Sequence, residues 1–224
     1  MSSSVPCNIP YMLNLVAKNI FSKIDVAQLD FNGIAQGKPI PLPEFSVLDV
    51  GFGFGKWGFL IRDTFDVMAG QNFNKEDWKI NITGVEIFDK CITSIQKKVY
   101  DKIIKKDIFK AIKRLGSYDL VILGDVIEHI EKEKAHSLLN KLFEHTENIL
   151  VSTPLGFMPQ GAWAGNENEI HKSGWELSDF KDYHVVEYKI LKDELYTDIL
   201  KNIPDLPKEV AAEIKLLVLW IHKK

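Results

Sequence analysis

The sequence predicts an α/β fold in which a mostly parallel sheet is covered by helices on both faces. Three observations carry this expectation. Short apolar runs at 46–50, 80–86, 102–106, 118–123 and 148–152 alternate with stretches of helical period, and strands that alternate with helices form parallel sheets buried on both sides. The first run belongs to Val-Leu-Asp-Val-Gly-Phe-Gly-Phe-Gly over residues 47–55, a buried strand feeding a glycine-rich turn that opens a helix. Hydrophobic residues make up 46% of the 224, enough for a sizeable core within one domain.

Ahead of the first strand, Leu13, Val16, Ala17, Ile20 and Ile24 recur at helical spacing and predict a helix over 11–24. Residues 32–44 hold Gly33, Gly37, Pro39, Pro41 and Pro43 and read as a linker. The chain thus divides into an N-terminal helical segment and linker, 1–44, and a main domain, 45–224. The segment either lids the pocket of the main domain or packs on it as a plain helix. A helix over 55–68 would bury Trp57, Leu60, Ile61, Phe65 and Met68, and the polar residues 70–79 form a surface excursion. A helix near 89–100, with Asp89 as N-cap, would bury Ile92, Ile95 and Val99 and place Cys91 in the core. Ala135, Leu138, Leu139, Leu142 and Phe143 fix a helix over 131–144. Beyond 175 the pattern gives a short helix (176–181), a strand (183–190), a helical connection (193–202) and a last strand (214–222).

Composition narrows the function. Lys and Arg number 28 against 31 Asp and Glu, a net charge of −3, which argues against a large nucleic-acid surface. The longest apolar run, Leu216 to Ile221, is too short to span a bilayer. No basic segment followed by an apolar core opens the chain. Cys7 and Cys91 are the only cysteines. Two free thiols and no leader predict a cytoplasmic protein.

The glycine turn is a ligand site. Glycines let a ligand lie against the main chain, and the helix start offers unpaired N–H groups. Two ligands compete. Gly53, Gly55 and Gly58 satisfy the G-x-G-x-x-G dinucleotide fingerprint. Asp49, Gly51, Gly53 and Gly55 satisfy acid-x-G-x-G-x-G, which closely resembles motif I of the class I S-adenosylmethionine (SAM) methyltransferases. Asp49 favours the second, because a carboxylate repels pyrophosphate but suits the ammonium and sulfonium of SAM.

That resemblance covers residues 45 to 190. It implies a Rossmann-like sheet of seven strands with strand 7 antiparallel beside strand 5. It also implies that Asp49, Gly51, Gly53 and Gly55 hold SAM. Glu86, at the tip of the second strand, would accept both ribose hydroxyls. Asp107 would accept from the adenine amino group, with Ile87 and Ile108 sandwiching the ring. A helix N-cap is the competing role for Asp107.

Asp125-Val-Ile-Glu128-His129 looks like motif IV of one branch of these enzymes. Asp125 would border the methionine end of SAM or the acceptor. Three roles stay open for Glu128 and His129. They can cap the next helix and brace loops. With Asp125 and His171 they can bind Mg²⁺ or Mn²⁺, similar to the metal sites of ubiquinone-pathway O-methyltransferases and small-RNA 2′-O-methyltransferases, where the ion lowers the pKa of the acceptor oxygen. Or His129 or His171 serves as a metal-free general base.

Residues 154–175 show no period, and a loop this long is functional or disordered. Phe157, Trp163, Trp175 and several amides suit a polar, hydroxyl-bearing acceptor such as a sugar, or fold the loop on itself. The resulting expectation is a SAM-dependent methyltransferase acting at oxygen on a small polar or glycan-like acceptor, with His129, His171 and Asp125 as catalytic residues. Its rivals are a SAM-binding regulatory or non-catalytic partner protein and a nucleic-acid methyltransferase. The acidic balance opposes the latter. So does Gly124-Asp125-Val126-Ile127, which stands where many N-methylating DNA enzymes have an Asn/Asp-Pro-Pro-Tyr/Phe signature.

Overall fold

The computed structural model describes residues 6–163, 165–194, 198, 202 and 214–224. Strands β1 (Phe45–Val50), β2 (Ile80–Glu86), β3 (Lys102–Lys105), β4 (Leu120–Gly124), β5 (Ile149–Pro154), β6 (His184–Lys192) and β7 (Lys215–His222) form one sheet. Its order is β3-β2-β1-β4-β5-β7-β6. The first five strands pair in parallel, and β7 runs antiparallel between β5 and β6. This is the expected sheet, inverted last strand included. Strand order reverses between β1 and β4, the switch point where open α/β sheets leave a crevice at the carboxyl ends of their strands.

Helices α1 (Ile9–Phe21), α2 (Phe31–Ala35), α3 (Lys56–Ile61), α4 (Ser94–Val99), α5 (Ile108–Ala111) and α6 (Lys132–Leu142) flank the sheet. Alternate strand residues feed two cores. Leu48 and Val50 face one, with Ala135, Leu138, Leu139 and Leu142 of α6. Val47 faces the other, with Met12, Leu15, Val16 and Ile20 of α1 and Trp57 and Ile61 of α3. The strands therefore read as almost unbroken apolar runs, as strands buried on both faces must.

Three local departures from the sequence reading have identifiable causes. The linker 32–44 contains the single-turn helix α2, capped by Asp30, whose carboxylate accepts from the Gly33 amide at 2.8 Å. Helix α3 widens into a π-helix over Arg62–Ala69. The wider turn changes the phase: Phe65 stays buried, Met68 is 69% exposed, and Arg62 and Asp66 turn inward. Buried charges need partners. Arg62 donates to Asp66 at 2.7 Å, to the Val99 carbonyl at 3.1 Å, and to Asp101 and the Ile80 carbonyl. Asp66 accepts from the Lys79 amide at 2.7 Å. This network pins the helix to the starts of β2 and β3.

The third departure is at α4. Its cap is Thr93 and not Asp89, which lies with Cys91 in a preceding 3-10 turn. Thr93 Oγ1 accepts from the Ile95 amide at 3.2 Å, and the Gln96 side chain accepts from the Thr93 amide at 2.8 Å. This reciprocal capping box satisfies two orphan donors at once. The later start leaves Ile95 half exposed and buries Gln96. Cys91 is buried, as expected, though off the helix. Residues 176–181 form a 3-10 turn at Leu177–Phe180. Most of the connection expected at 193–202 lies outside the described residues. No described helix is long and apolar enough to cross a membrane.

Candidate functional site

Where β1 ends, the chain turns through Gly51, Gly53 and Gly55, at φ of 66°, 51° and 91°. Side chains strain that region, so glycine is required. The turn exposes Gly51 and Gly53 to a cavity of about 350 Å³ at the carboxyl edge of the sheet. Gly55 sits at the N-cap of α3, outside the cavity lining. Gly58 serves packing: a Cβ there would lie 2.5 Å from Cζ of Tyr100.

Asp49 is 1% exposed and accepts from the Tyr100 hydroxyl at 2.6 Å. Burial pushes its carboxyl up to about 7, against the pull of that hydroxyl. It is not among the residues lining the cavity and faces Tyr100 behind the glycine turn. Nothing in the local pattern singled out Tyr100 as its partner.

Glu86 stands at the end of β2 and lines the cavity. Its Oε2 accepts from the Gly53 amide at 2.9 Å and its Oε1 from the Phe88 amide at 2.8 Å. Each oxygen retains a second lone pair. Burial raises this carboxyl above its ordinary value, while the two amides pull it down. Asp107 caps α5, accepting from the Phe109 amide at 2.9 Å, and lines the cavity as well. Ile108, largely buried, and Ile87, 48% exposed, complete that wall.

The other wall follows β4. Asp125 has φ 57°, an uncommon conformation for a residue with a side chain, and accepts from Ser152 Oγ at 2.9 Å. Glu128 is buried and accepts from Thr153 Oγ1 at 3.1 Å. Burial, then the nearby Asp125 charge, holds its carboxyl well above the usual range. His129 lines the cavity, and the carbonyls of Ile170 and Glu169 face its ring, yet neither ring nitrogen completes a hydrogen bond. Burial and then His171 push it down to about 4, so its imidazole is neutral.

His171 is buried, with Nδ1 2.5 Å from the Met158 carbonyl. That contact assigns a proton to Nδ1. The two imidazole rings are 4.8 Å apart. Glu128, His129 and His171 each offer one ligand atom, all within 4.8 Å of one another. Asp125 stands outside this trio.

The loop after β5 has more structure than its sequence suggests. Gly156 and Trp175 bridge its ends, and Trp175 is fully buried. The Lys172 and Ser173 amides donate to the Glu128 carbonyl at 2.7 and 3.1 Å. Asn166 caps a 3-10 turn at Glu167–Glu169. This fold-back brings Asn166, Asn168, Glu169 and Lys172 to the cavity. Phe157 and Trp163 remain exposed.

Sequence reasoning also missed Asn8, Lys56 and Ser152. Asn8 is fully buried and joins Lys56 to Ser152. Burial pushes the Lys56 ammonium down to about 8, and the Asp125 charge holds it up. The position of Asn8 before α1 is the signal of a helix cap, but its side chain makes no capping bond.

No protein-family model matches the chain, and no curated protein matches it. Solved structures do. A cyclopropane synthase from Mycobacterium tuberculosis aligns with a TM-score of 0.54 at 12% identity, covering 91% of this chain and 88% of that one. A magnesium protoporphyrin IX methyltransferase from Synechocystis, with bound SAH, gives 0.52 at 14% identity, covering 97% and 85%. A SAM-dependent methyltransferase from Archaeoglobus fulgidus gives 0.51 at 18% identity, covering 86% and 90%. At such identities the likeness shows the fold alone, a seven-stranded Rossmann-like sheet shared with these enzymes.

Proposed function

We propose that the chain is a SAM-dependent methyltransferase that acts at oxygen on a small polar, glycan-like acceptor, with 45–224 as the methyltransferase domain and 1–44 as its N-terminal helical segment and linker. One observation carries the reading. A single cavity joins the glycine turn, Glu86 and Asp107 on one wall to His129 and the asparagine-rich loop on the other. The bound SAH of the Synechocystis neighbour supports the choice of cofactor.

The residues fit SAM. Glu86 has acceptor capacity for the ribose hydroxyls, Asp107 for the adenine amino group, and Ile87 and Ile108 offer apolar contact to the ring. Asp125, on the far side of the glycine turn, suits the ammonium of the methionine end. SAM supplies an electrophilic methyl group on sulfur. The protein's task is then to hold an acceptor oxygen in line and to accommodate its proton, so positioning carries much of the rate.

Glu128, His129 and His171 also fit a divalent cation. Neutral imidazole is a ligand, and neither buried nitrogen of His129 completes a hydrogen bond. The bond from His171 to the Met158 carbonyl orients that ring, as hydrogen-bonded partners of metal ligands do. Mg²⁺ or Mn²⁺ there would lower the pKa of the acceptor oxygen. An imidazole held near 4 is a poor base at neutral pH, which favours ligation for His129 over general-base work.

Calorimetric titration with SAM and S-adenosylhomocysteine, with and without Mn²⁺, tests both parts. Micromolar cofactor binding and a separate metal isotherm that disappears in His129→Ala are expected. Absence of SAM binding sinks the reading. SAM binding without S-adenosylhomocysteine formation across a polyol and sugar-nucleotide panel favours a regulatory SAM-binding protein instead.

A further inference from the structure

The N-terminal turn reaches the cavity through a chain of four polar side chains. Lys56 Nζ donates to Asn8 Oδ1 at 3.0 Å. Asn8 Nδ2 donates to Ser152 Oγ at 2.8 Å, and Ser152 Oγ donates to Asp125 Oδ1 at 2.9 Å. Asn8 and Ser152 are fully buried, and Asp125 is 7% exposed and lines the cavity. The four come from separate places: the turn Pro6–Asn8, the first residue of α3, strand β5, and the residue after β4.

The two ends fix the direction of the chain. An ammonium only donates and a carboxylate only accepts. Asn8 must therefore turn its oxygen to Lys56 and its NH₂ to Ser152. The Ser152 hydroxyl, already accepting from Asn8, sends its own proton to Asp125. Only one amide orientation suits both ends, so the chain runs in one direction. At its far end Asp125 occupies φ 57°, a backbone state that persists only where its surroundings enforce it.

We propose that Asn8 is a positioning residue: through Ser152 it holds the Asp125 carboxylate toward the ammonium of bound SAM, so that docking of the N-terminal turn and binding of the methionine end are coupled. The proposal rests on the SAM reading above. Without the Asn8 amide, Ser152 Oγ loses the donor that fixes its position, and its bond to Asp125 is held less firmly. Glu86 ends β2 and Asp107 follows β3, both outside this chain of bonds, so the adenosine contacts stay intact.

The test uses three ligands on the full-length protein: SAM, S-adenosylhomocysteine, and 5′-methylthioadenosine, which lacks the amino-acid end. Asn8→Ala should weaken the first two about ten-fold, the size of one ordinary hydrogen bond, and leave methylthioadenosine unchanged. In an Asp125→Asn background, Asn8→Ala should have no further effect on SAM. Equal weakening of all three ligands means that Asn8 merely holds the fold, and overturns the proposal. So does an unchanged SAM affinity, or a loss that persists in full without the Asp125 charge. If Asn8→Ala does not fold, Ser152→Ala removes one hydroxyl from the same chain and must give the same ligand pattern. Failure of the unmodified protein to bind any of the three removes the SAM reading itself, and the proposal with it.

Discussion

The two walls of the cavity are built from opposite chemistry. On the β1–β3 side each acid already has backbone partners: Glu86 takes the Gly53 and Phe88 amides, and Asp107 takes the Phe109 amide. On the β4–β5 side the groups are titratable and poorly matched to their surroundings. Neither nitrogen of His129 completes a hydrogen bond, burial keeps Glu128, just behind the lining, toward its neutral acid, and Asp125 sits at positive φ. The first wall is a binding surface finished before a ligand arrives, which lowers the cost of binding. The second holds desolvated groups whose unfavourable state something bound can relieve, the pattern expected where chemistry is done.

If the walls divide the labour in this way, His171→Ala has the largest effect. Turnover should fall about 100-fold or more, while SAM affinity stays within about two-fold of the parent. Single-turnover formation of S-adenosylhomocysteine and calorimetry measure the two separately. Loss of SAM binding in this variant would dissolve the division. Glu86→Ala attacks the other wall and should weaken SAM about 100-fold, since two charge-assisted contacts disappear and Gly53 loses its brace. A change below about three-fold, smaller than one such contact, would remove Glu86 from the ribose site.

The same contrast governs what the sequence discloses. The glycine turn and Glu86 are legible because a single strand end carries each signal. The Asp49–Tyr100 bond spans 51 residues and the Asn8–Ser152 bond spans 144. No period or motif encodes such pairs. The loop that delivers His171 is held by amides that donate to the Glu128 carbonyl, a partner that residue types do not reveal. Met68 departs from the expected face because a 3.6-residue period does not hold through the π-helix. Thr93-x-x-Gln96 was legible in principle, but Asp89 drew the assignment away from it.

Gly58→Ala sharpens the comparison behind the first wall, by separating glycine that serves a ligand from glycine that serves packing. The added methyl would press on a buried Tyr100 ring at 2.5 Å. Overpacking of this kind costs about 1–3 kcal/mol. Urea denaturation should show that loss, with SAM affinity preserved in the folded fraction. An unchanged midpoint with weakened nucleotide binding would return Gly58 to the dinucleotide fingerprint.

Asp49 strains the comparison most, because it is a buried acid behind the wall that otherwise looks satisfied. Its ordinary value is 3.8, and burial lifts it to about 7 in the folded chain. Between those values the native state keeps a proton that the unfolded chain releases. Its contribution is therefore complete below about pH 4 and declines as pH rises to about 7, then stays level. His129 behaves oppositely: depressed to about 4, it costs stability as pH falls below its ordinary value of 6.5. The stability profile of the parent mixes the two, so the informative quantity is the difference from Asp49→Asn. An asparagine oxygen still accepts from the Tyr100 hydroxyl and has no charge to desolvate. The variant should match the parent near pH 4 and exceed it by about 4 kcal/mol at pH 8, read from urea midpoints at both values. A variant less stable than the parent at pH 8 would show that the ionised carboxylate is held by the glycine turn. Asp49 would then join Glu86 as a satisfied acid, and the contrast between the two walls would be complete.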